Sequence, residues 1–161
     1  MPVSWFAHVT VAAIVEDQGR YLLVEETVNG NRVLNQPAGH LDPGESLFNA
    51  VVRETHEETG LVFNPDGLVG IYESIESSTQ QTFLRIAFTG SVVVCDNARP
   101  VDQNVHCVLW ATPEEIRAQQ NRLRSAYVLL GIEDHLCGRR YPLEFLRQLP
   151  DRLIGAATGP R

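Results

Sequence analysis

Three glutamates, Glu54, Glu57 and Glu58, fall three and four residues apart inside a stretch that reads as one helix. Ser46 offers an N-cap hydroxyl, Gly60 is a helix-stop residue, and neither proline nor glycine interrupts residues 47–59. On an α-helix this spacing gathers the carboxylates on one face. As bare structure that is unfavourable. Like charges so placed cost about 0.2–0.5 kcal/mol per pair, and the single adjacent Arg53 cannot neutralise every one of them. The rest of the helix is apolar over a broad arc, with Leu47, Phe48, Ala50, Val51 and Val52. That arc predicts a helix wedged between layers of the fold, its acidic end at the edge of a cleft. Clustered, rigidly held carboxylates with no histidine or cysteine at ligand spacing suit a hard divalent cation, Mg²⁺ with Mn²⁺ as a substitute.

The flanking sequence supplies a sheet for that helix to pack on. Residues 8–15, HVTVAAIV, are rich in β-branched side chains and nearly continuously apolar, and Asp17-Gln18-Gly19 turns the chain into a second buried strand at 21–24. A short strand at 33–37 feeds Ala38-Gly39-His40, and Pro43-Gly44 makes a turn ahead of the helix. Further on, 68–74 and 82–88 read as an antiparallel pair turning near Gln80-Gln81, and 92–94 and 105–110 as separate strands. Thr112-Pro113 opens another helix, and a last one covers 125–136. Strands and helices without regular β-α alternation predict a mixed α/β (α+β) fold, helices covering a mixed sheet. A length of 161 residues at 43% hydrophobic content fits one domain over residues 1–150, followed at 151–161 by a small, polar tail expected to be mobile.

Charge and composition narrow the chemistry. The net charge of −7 repels phosphate backbones and no arginine-rich, aromatic stripe offsets it, so a nucleic acid polymer is not the expected partner. All 13 basic residues are arginine. Without lysine the chain has neither a P-loop lysine nor a Schiff-base amine, so any phosphate chemistry rests on arginine, backbone amides or metal. Cys95, Cys107 and Cys137 lack CxxC spacing and read as core thiols, and the histidines show no ligand spacing to one another. No basic leader precedes the apolar residues of 1–16 and no apolar run is long enough to span a bilayer, which predicts no membrane partner and a cytoplasmic location.

Residues 39–61, GHLDPGESLFNAVVRETHEETGL, resemble the Nudix box: Gly, five residues, Glu, seven residues, then Arg-Glu-aliphatic-any-Glu-Glu-any-Gly-aliphatic. The matching positions are Gly39, Glu45, Arg53, Glu54, Glu57, Glu58, Gly60 and Leu61. Agreement at the Gly, Glu and Arg positions by chance, at a given start, has a probability on the order of 10⁻⁸. Thr55 departs from the pattern, standing where the family has an aliphatic residue. Across residues 8–144 the phrases HVTVA, VEET, NQPAGHLD, EETG, FLR, LRS and YPLE resemble NudJ-type phosphatases of the same family, while 63–81 and 95–101 match poorly. The resemblance implies an α/β/α sandwich with a mixed central sheet and a divalent metal. It also implies release of phosphate from nucleoside di- and triphosphates or a thiamine-pathway pyrimidine diphosphate.

By the same resemblance Glu57 and Glu58 are the principal metal ligands. Glu54 lies near the metal or its water, and a backbone carbonyl around Ala38 completes the shell. Arg53 orients the glutamates, Glu45 braces the loop, and Gly39 and Gly60 serve backbone geometry. The box does not fix the general base, for which Glu54 and Asp102 are candidates. Arg85 is the candidate phosphate contact and Gln36 a substrate contact, although alone Asp102 reads as an ordinary loop aspartate and Arg85 as a surface strand residue. The partner is then a small nucleotide or organic diphosphate, and the protein a monomer or homodimer. Two other functions suit such a fold. One is a module that binds a nucleotide or ADP-ribose without turnover, but those typically lose box glutamates and none is missing here. The other is an isoprenyl-diphosphate isomerase, which needs Cys95 or Cys107 in the cleft.

Overall fold

The computed structural model describes residues 5–94 and 102–149. The apolar run at 8–15 has its explanation in β1 (His8–Asp17), which is buried on both faces. Val11, Ala13 and Val15 point into one core and Ile14 into another, the alternation of a strand covered on either side. The first core is closed by Ala50 and Val51 of α1 (Leu47–Thr59). The second is closed by Ile116 of α2 (Pro113–Ala118) with Val128 and Ile132 of α3 (Ala126–Leu136). This is an α/β/α sandwich, as the sequence led us to expect.

The sheet between the helices adds β2 (Arg20–Val28), β3 (Asn31–Asn35), β4 (Ala38–His40), β5 (Leu61–Ile75), β6 (Thr82–Val94) and β7 (Val105–Ala111) to β1. Its order is β3-β2-β1-β6-β5, with β4 on β1 and β7 on β2. β1 and β6 run parallel while the other pairs are antiparallel, so the sheet is mixed. Gln18 and Gly19, both at positive φ, form the tight turn between β1 and β2. Those strands pair only beside that turn, at Glu16–Tyr21 and Asp17–Arg20. Beyond it β1 takes β4 instead, Val11 opposite Gly39, which brings the glycine-containing segment under α1.

Four expectations need correction. β5 begins directly after Gly60, seven residues earlier than the predicted start at 68, because bulges at Pro65/Gly67 and Leu68/Gly70 absorb the proline without ending the strand. Residues 92–94 are the end of β6, paired with Phe63, Val62 and Leu61, and not a separate strand. Cys107 and Cys137 are exposed, one on β7 and one capping α3, so they are not core thiols. Cys95, residues 99–101 and the tail at 151–161 lie outside the described residues. Finally, α1 buries one face only. Ala50, Val51 and Thr55 pack inward, whereas Phe48 in the first turn is 45% exposed. Thr55 fits its buried position because its hydroxyl donates to the Val51 carbonyl at 2.7 Å. Among the described residues no helix is long and apolar enough to cross a membrane.

Candidate active site

α1 is fixed at both ends by its own sequence. The Ser46 hydroxyl accepts the Asn49 N–H at 3.0 Å, and Gly60, left-handed at φ 73, donates back to the His56 carbonyl at 2.7 Å. Between the ends, Arg53 ties the preceding loop to the helix. Its Nε and Nη2 donate to the two Glu45 oxygens at 2.9 Å each, Nη2 to the His40 carbonyl at 3.1 Å, and Nη1 to Glu54 at 2.7 Å and Glu57 at 3.2 Å. The two-pronged bond from Arg53 holds the Glu45 carboxyl below its usual range. Only a planar guanidinium can serve loop and helix at once in this way.

The glutamates do not share one face as evenly as their spacing suggested. At about 100° per residue, Glu58 lies ~40° to one side of Glu54 and Glu57 ~60° to the other. Glu54 and Glu58 accordingly line a cavity of about 590 Å³, while Glu57, its side chain 44% exposed, stands at the rim against Arg53. Among the described residues no three His, Cys, Asp or Glu side chains converge on one point. Glu58 is almost fully buried and accepts the Ala38 N–H at 2.8 Å. Burial above all, with Glu26, Glu54 and Asp102 nearby, pushes its carboxyl up to about 8 against that hydrogen bond. Burial also raises Glu54, against the pull of Arg53.

Ala38 and Gly39 bring β4 against α1. Bonds from Ala13 N–H to the Pro37 carbonyl (2.9 Å) and from Leu41 N–H to the Val9 carbonyl (3.0 Å) flank them. In extended backbone the N–H and C=O of one residue point to the same side, so the Ala38 carbonyl faces α1 along with its N–H. A Cβ on Gly39 would overlap the Glu54 carboxyl group. That obstacle is the end of a flexible side chain, so Gly39→Ala is expected to displace Glu54 and not to unfold the protein. Turnover should fall at least ~10-fold while Tm shifts by less than about 4 °C, roughly 1 kcal/mol. Kinetics and a melting curve on the same preparation check this.

Thr10, Asn35, Phe83, Arg85, Asp102 and Tyr127 also contribute to the cavity wall. Asp102 donates its N–H to the Glu57 carbonyl at 3.0 Å, and its Oδ1 accepts from the Asn104 N–H (2.8 Å) and side-chain amide (3.0 Å). It therefore shapes its own turn and still borders the cavity. Arg85 is no surface residue: it is 8% exposed, with Nη2 donating to Asn35 Oδ1 at 3.2 Å and Gln36 Oε1 at 2.9 Å. Gln36 is not on the cavity wall. Both ends of its amide are engaged, Oε1 by Arg85 and Nε2 by the Val128 carbonyl at 2.7 Å, so it supports Arg85 in place of touching substrate. Sequence reasoning assigned no role to Asn35, Tyr127 or the Glu26–Arg124 pair (2.7 Å). The phrases NQPAGHLD, VEET and LRS contain Asn35, Glu26 and Arg124, but nothing in their spacing joins them.

Comparisons with known proteins agree with this geometry. The NUDIX domain profile matches residues 6–130. Phosphatase NudJ of Escherichia coli is 40% identical over 139 residues, 86% of this chain and 90% of that one. The structure of a NUDIX hydrolase from Nitrosomonas europaea aligns with a TM-score of 0.85 at 46% identity, covering 89% of this chain and 98% of that one. A bifunctional NMN adenylyltransferase/ADP ribose pyrophosphatase from Francisella tularensis, complexed with AMP and a Mn ion, shares the fold at 19% identity. Its TM-score is 0.66 over 86% of this chain and 44% of that one.

Proposed function

The chain belongs to the Nudix family, whose hydrolases act on diphosphate bonds, and from that premise we propose a Mg²⁺-dependent phosphatase of nucleoside di- or triphosphates. A related small organic diphosphate, such as a thiamine-pathway pyrimidine diphosphate, has the same reactive group. The observation that carries this reading is the half-buried Glu54 and buried Glu58 on the wall of a cavity that also contains Arg85. Such a donor set fits a hard cation: oxygen ligands only, with a carboxyl whose charge the fold disfavours until something compensates it.

Glu54, Glu58 and the Ala38 carbonyl would hold the cation, with Glu57 joining from the rim on leaving Arg53. Bound there, it would neutralise phosphate charge and acidify a water. The chain's own residues do the rest. Arg53 keeps loop and helix in register, and Arg85 orients a phosphate oxygen. Of the two candidate bases, Asp102 is the better suited to take the attacking water's proton, because it borders the cavity and Glu54 is committed to the cation. The NudJ relative is named a phosphatase, and the Francisella protein was crystallised with AMP and manganese, which supports a nucleotide and a divalent cation.

A nucleotide panel tests the reading: phosphate release with Mg²⁺, lost in EDTA and restored by Mg²⁺. Tight binding without turnover would instead make the protein a sensor. Unchanged phosphate with a rearranged carbon skeleton would make it an isomerase; of the two cysteines that reading needs, Cys107 is not on the cavity wall and Cys95 lies outside the described residues.

A pH dependence follows from Glu58. Its folded-state pKa of about 8 lies above the ordinary 4.5, so the fold favours the protonated form. Its stabilisation is fully present below pH ~4.5 and is lost as pH rises through ~8. In EDTA, the Tm of the wild type should therefore decline relative to Glu58→Gln between pH 5 and 8.5, and Mg²⁺ should reduce that decline. Parallel melting curves for the two proteins would refute it.

A further inference from the structure

Arg85 is a buried cation with no carboxylate at salt-bridge distance among the described residues, the charges of Glu58 and Glu26 acting on it from farther away. Among the described residues its hydrogen bonds run from Nη2 alone, to the neutral amide oxygens of Asn35 and Gln36, and no carboxylate pairs with it. Arg124, in the same cavity wall, lies on Glu26 at 2.7 Å. Burial first, then the charge of Arg124, brings Arg85 down to about 10, which leaves it charged at neutral pH. A buried charge without a counter-charge is costly, and proteins retain one where a ligand supplies the missing partner. The fork is also held in place. Asn35 donates to Glu26 at 3.0 Å and Gln36 to the Val128 carbonyl, so both acceptors of Nη2 are fixed.

A second deficit lies beside the first. The Tyr127 hydroxyl is buried and has no hydrogen-bond partner among the described residues, and the Arg85 guanidinium lies 5.9 Å from the centre of that tyrosine's ring. Tyr127 belongs to the first turn of the eleven-residue helix α3, whose N-cap, Ser125, makes no side-chain capping bond and borders the same cavity. Among the described residues, the Nε and Nη1 of Arg85, the phenol and the cap side of the helix start all lack the same thing, an acceptor.

We propose that Arg85, the Tyr127 hydroxyl and the start of α3 form a subsite for an unesterified terminal phosphate of the substrate, which makes Tyr127 a specificity-determining residue. The inference rests on the hydrolase reading above. A terminal phosphate presents three oxygens to these donors. Asn35 and Gln36, each 2% exposed, back the guanidinium, so Arg85 meets a ligand from the cavity side alone, as a chain-ending phosphate would present itself. Among the described residues, Arg85 and Arg124 are the two cations on a wall that otherwise carries carboxylates, Glu54 and Glu58 among them, and Arg124 is already paired with Glu26.

The test uses the full chain with Mg²⁺ and compares a nucleoside triphosphate with its methyl ester on the terminal phosphate, in wild type, Tyr127→Phe and Arg85→Lys. Wild type is expected to prefer the free phosphate at least ~10-fold in kcat/KM, and each variant to lose most of that preference. Tyr127→Phe should melt no lower than wild type, because the hydroxyl it removes has no partner among the described residues. Titration of inorganic phosphate into the Mg²⁺-loaded protein, read calorimetrically, should show weaker binding in both variants. The proposal is overturned if wild type treats the two nucleotides alike, if the variants keep its preference, or if phosphate binds them equally well. Wild-type inactivity on the whole panel would overturn the hydrolase reading instead, and the phosphate titration would still decide the subsite.

Discussion

Glu57→Gln is expected to lower kcat at least ~100-fold on any nucleotide the wild type hydrolyses, a loss of about 2.7 kcal/mol of transition-state stabilisation, with the melting temperature essentially unchanged. The two halves of that expectation have separate origins. Glu57 is half-exposed, and among the described residues its side chain is hydrogen-bonded to Arg53 alone, at 3.2 Å, so the fold loses little when its charge is removed. A neutral amide is, however, a poor ligand for a hard cation, and the Arg53 fork would then hold one carboxylate fewer in reach of the cavity. Kinetics across a Mg²⁺ titration check this. The variant should need more metal for half-maximal rate, and Glu57→Asp should recover part of the loss. Normal turnover by Glu57→Gln would remove Glu57 from the metal site and leave Glu54 and Glu58 as its acidic part.

Gly90→Ala has the opposite profile: a large loss of stability with little change in the chemistry of the molecules that remain folded. Gly90 sits in β6 between β1 and β5, opposite Val15 on one side and Pro65 on the other. The bulge at Pro65/Gly67 presses the neighbouring strand inward, so an added Cβ would overlap the Asn64 carbonyl and come within 2.8 Å of Pro65 Cα. Those are backbone atoms of a central pairing, and relief requires the two strands to part. The cost should be about 3 kcal/mol, at the upper end for overpacking, or roughly 6–12 °C in Tm for a chain of this size. Gly19→Ala is the control. Unlike Gly90 it carries a positive φ, but nothing lies within 4 Å of its added methyl, so only backbone strain of about 1 kcal/mol is expected. Equal losses from the two substitutions would contradict this account of β5.

The contrast between Gly39, where a side chain yields, and Gly90, where backbone cannot, was invisible in the sequence, which marks both simply as glycine. The same holds for strand boundaries. Pro65 and Gly67 read as a break before 68, and only the pairing of 61–75 with 82–94 shows that bulges carry the strand through. The double burial of β1 was foreshadowed by its unbroken apolar run, whereas the exposure of Cys107 and Cys137 ran against the usual burial of free thiols.

What the sequence by itself determined is the helix and its acidic set: caps at Ser46 and Gly60, Arg53 within reach of Glu54 and Glu57, and the box that places the chain in its family. These are decided within a few residues, where helical geometry converts spacing directly into position. Tertiary structure alone decided that Glu54 and Glu58 face the cavity while Glu57 stands aside. It also placed Arg85 against Asn35 and Gln36, about fifty positions away, with Tyr127 beside it and, among the described residues, no carboxylate paired with it. Those neighbours meet through the parallel pairing of β1 with β6 and the docking of α3 on the far face of the sheet, long-range contacts that no local pattern of side chains encodes.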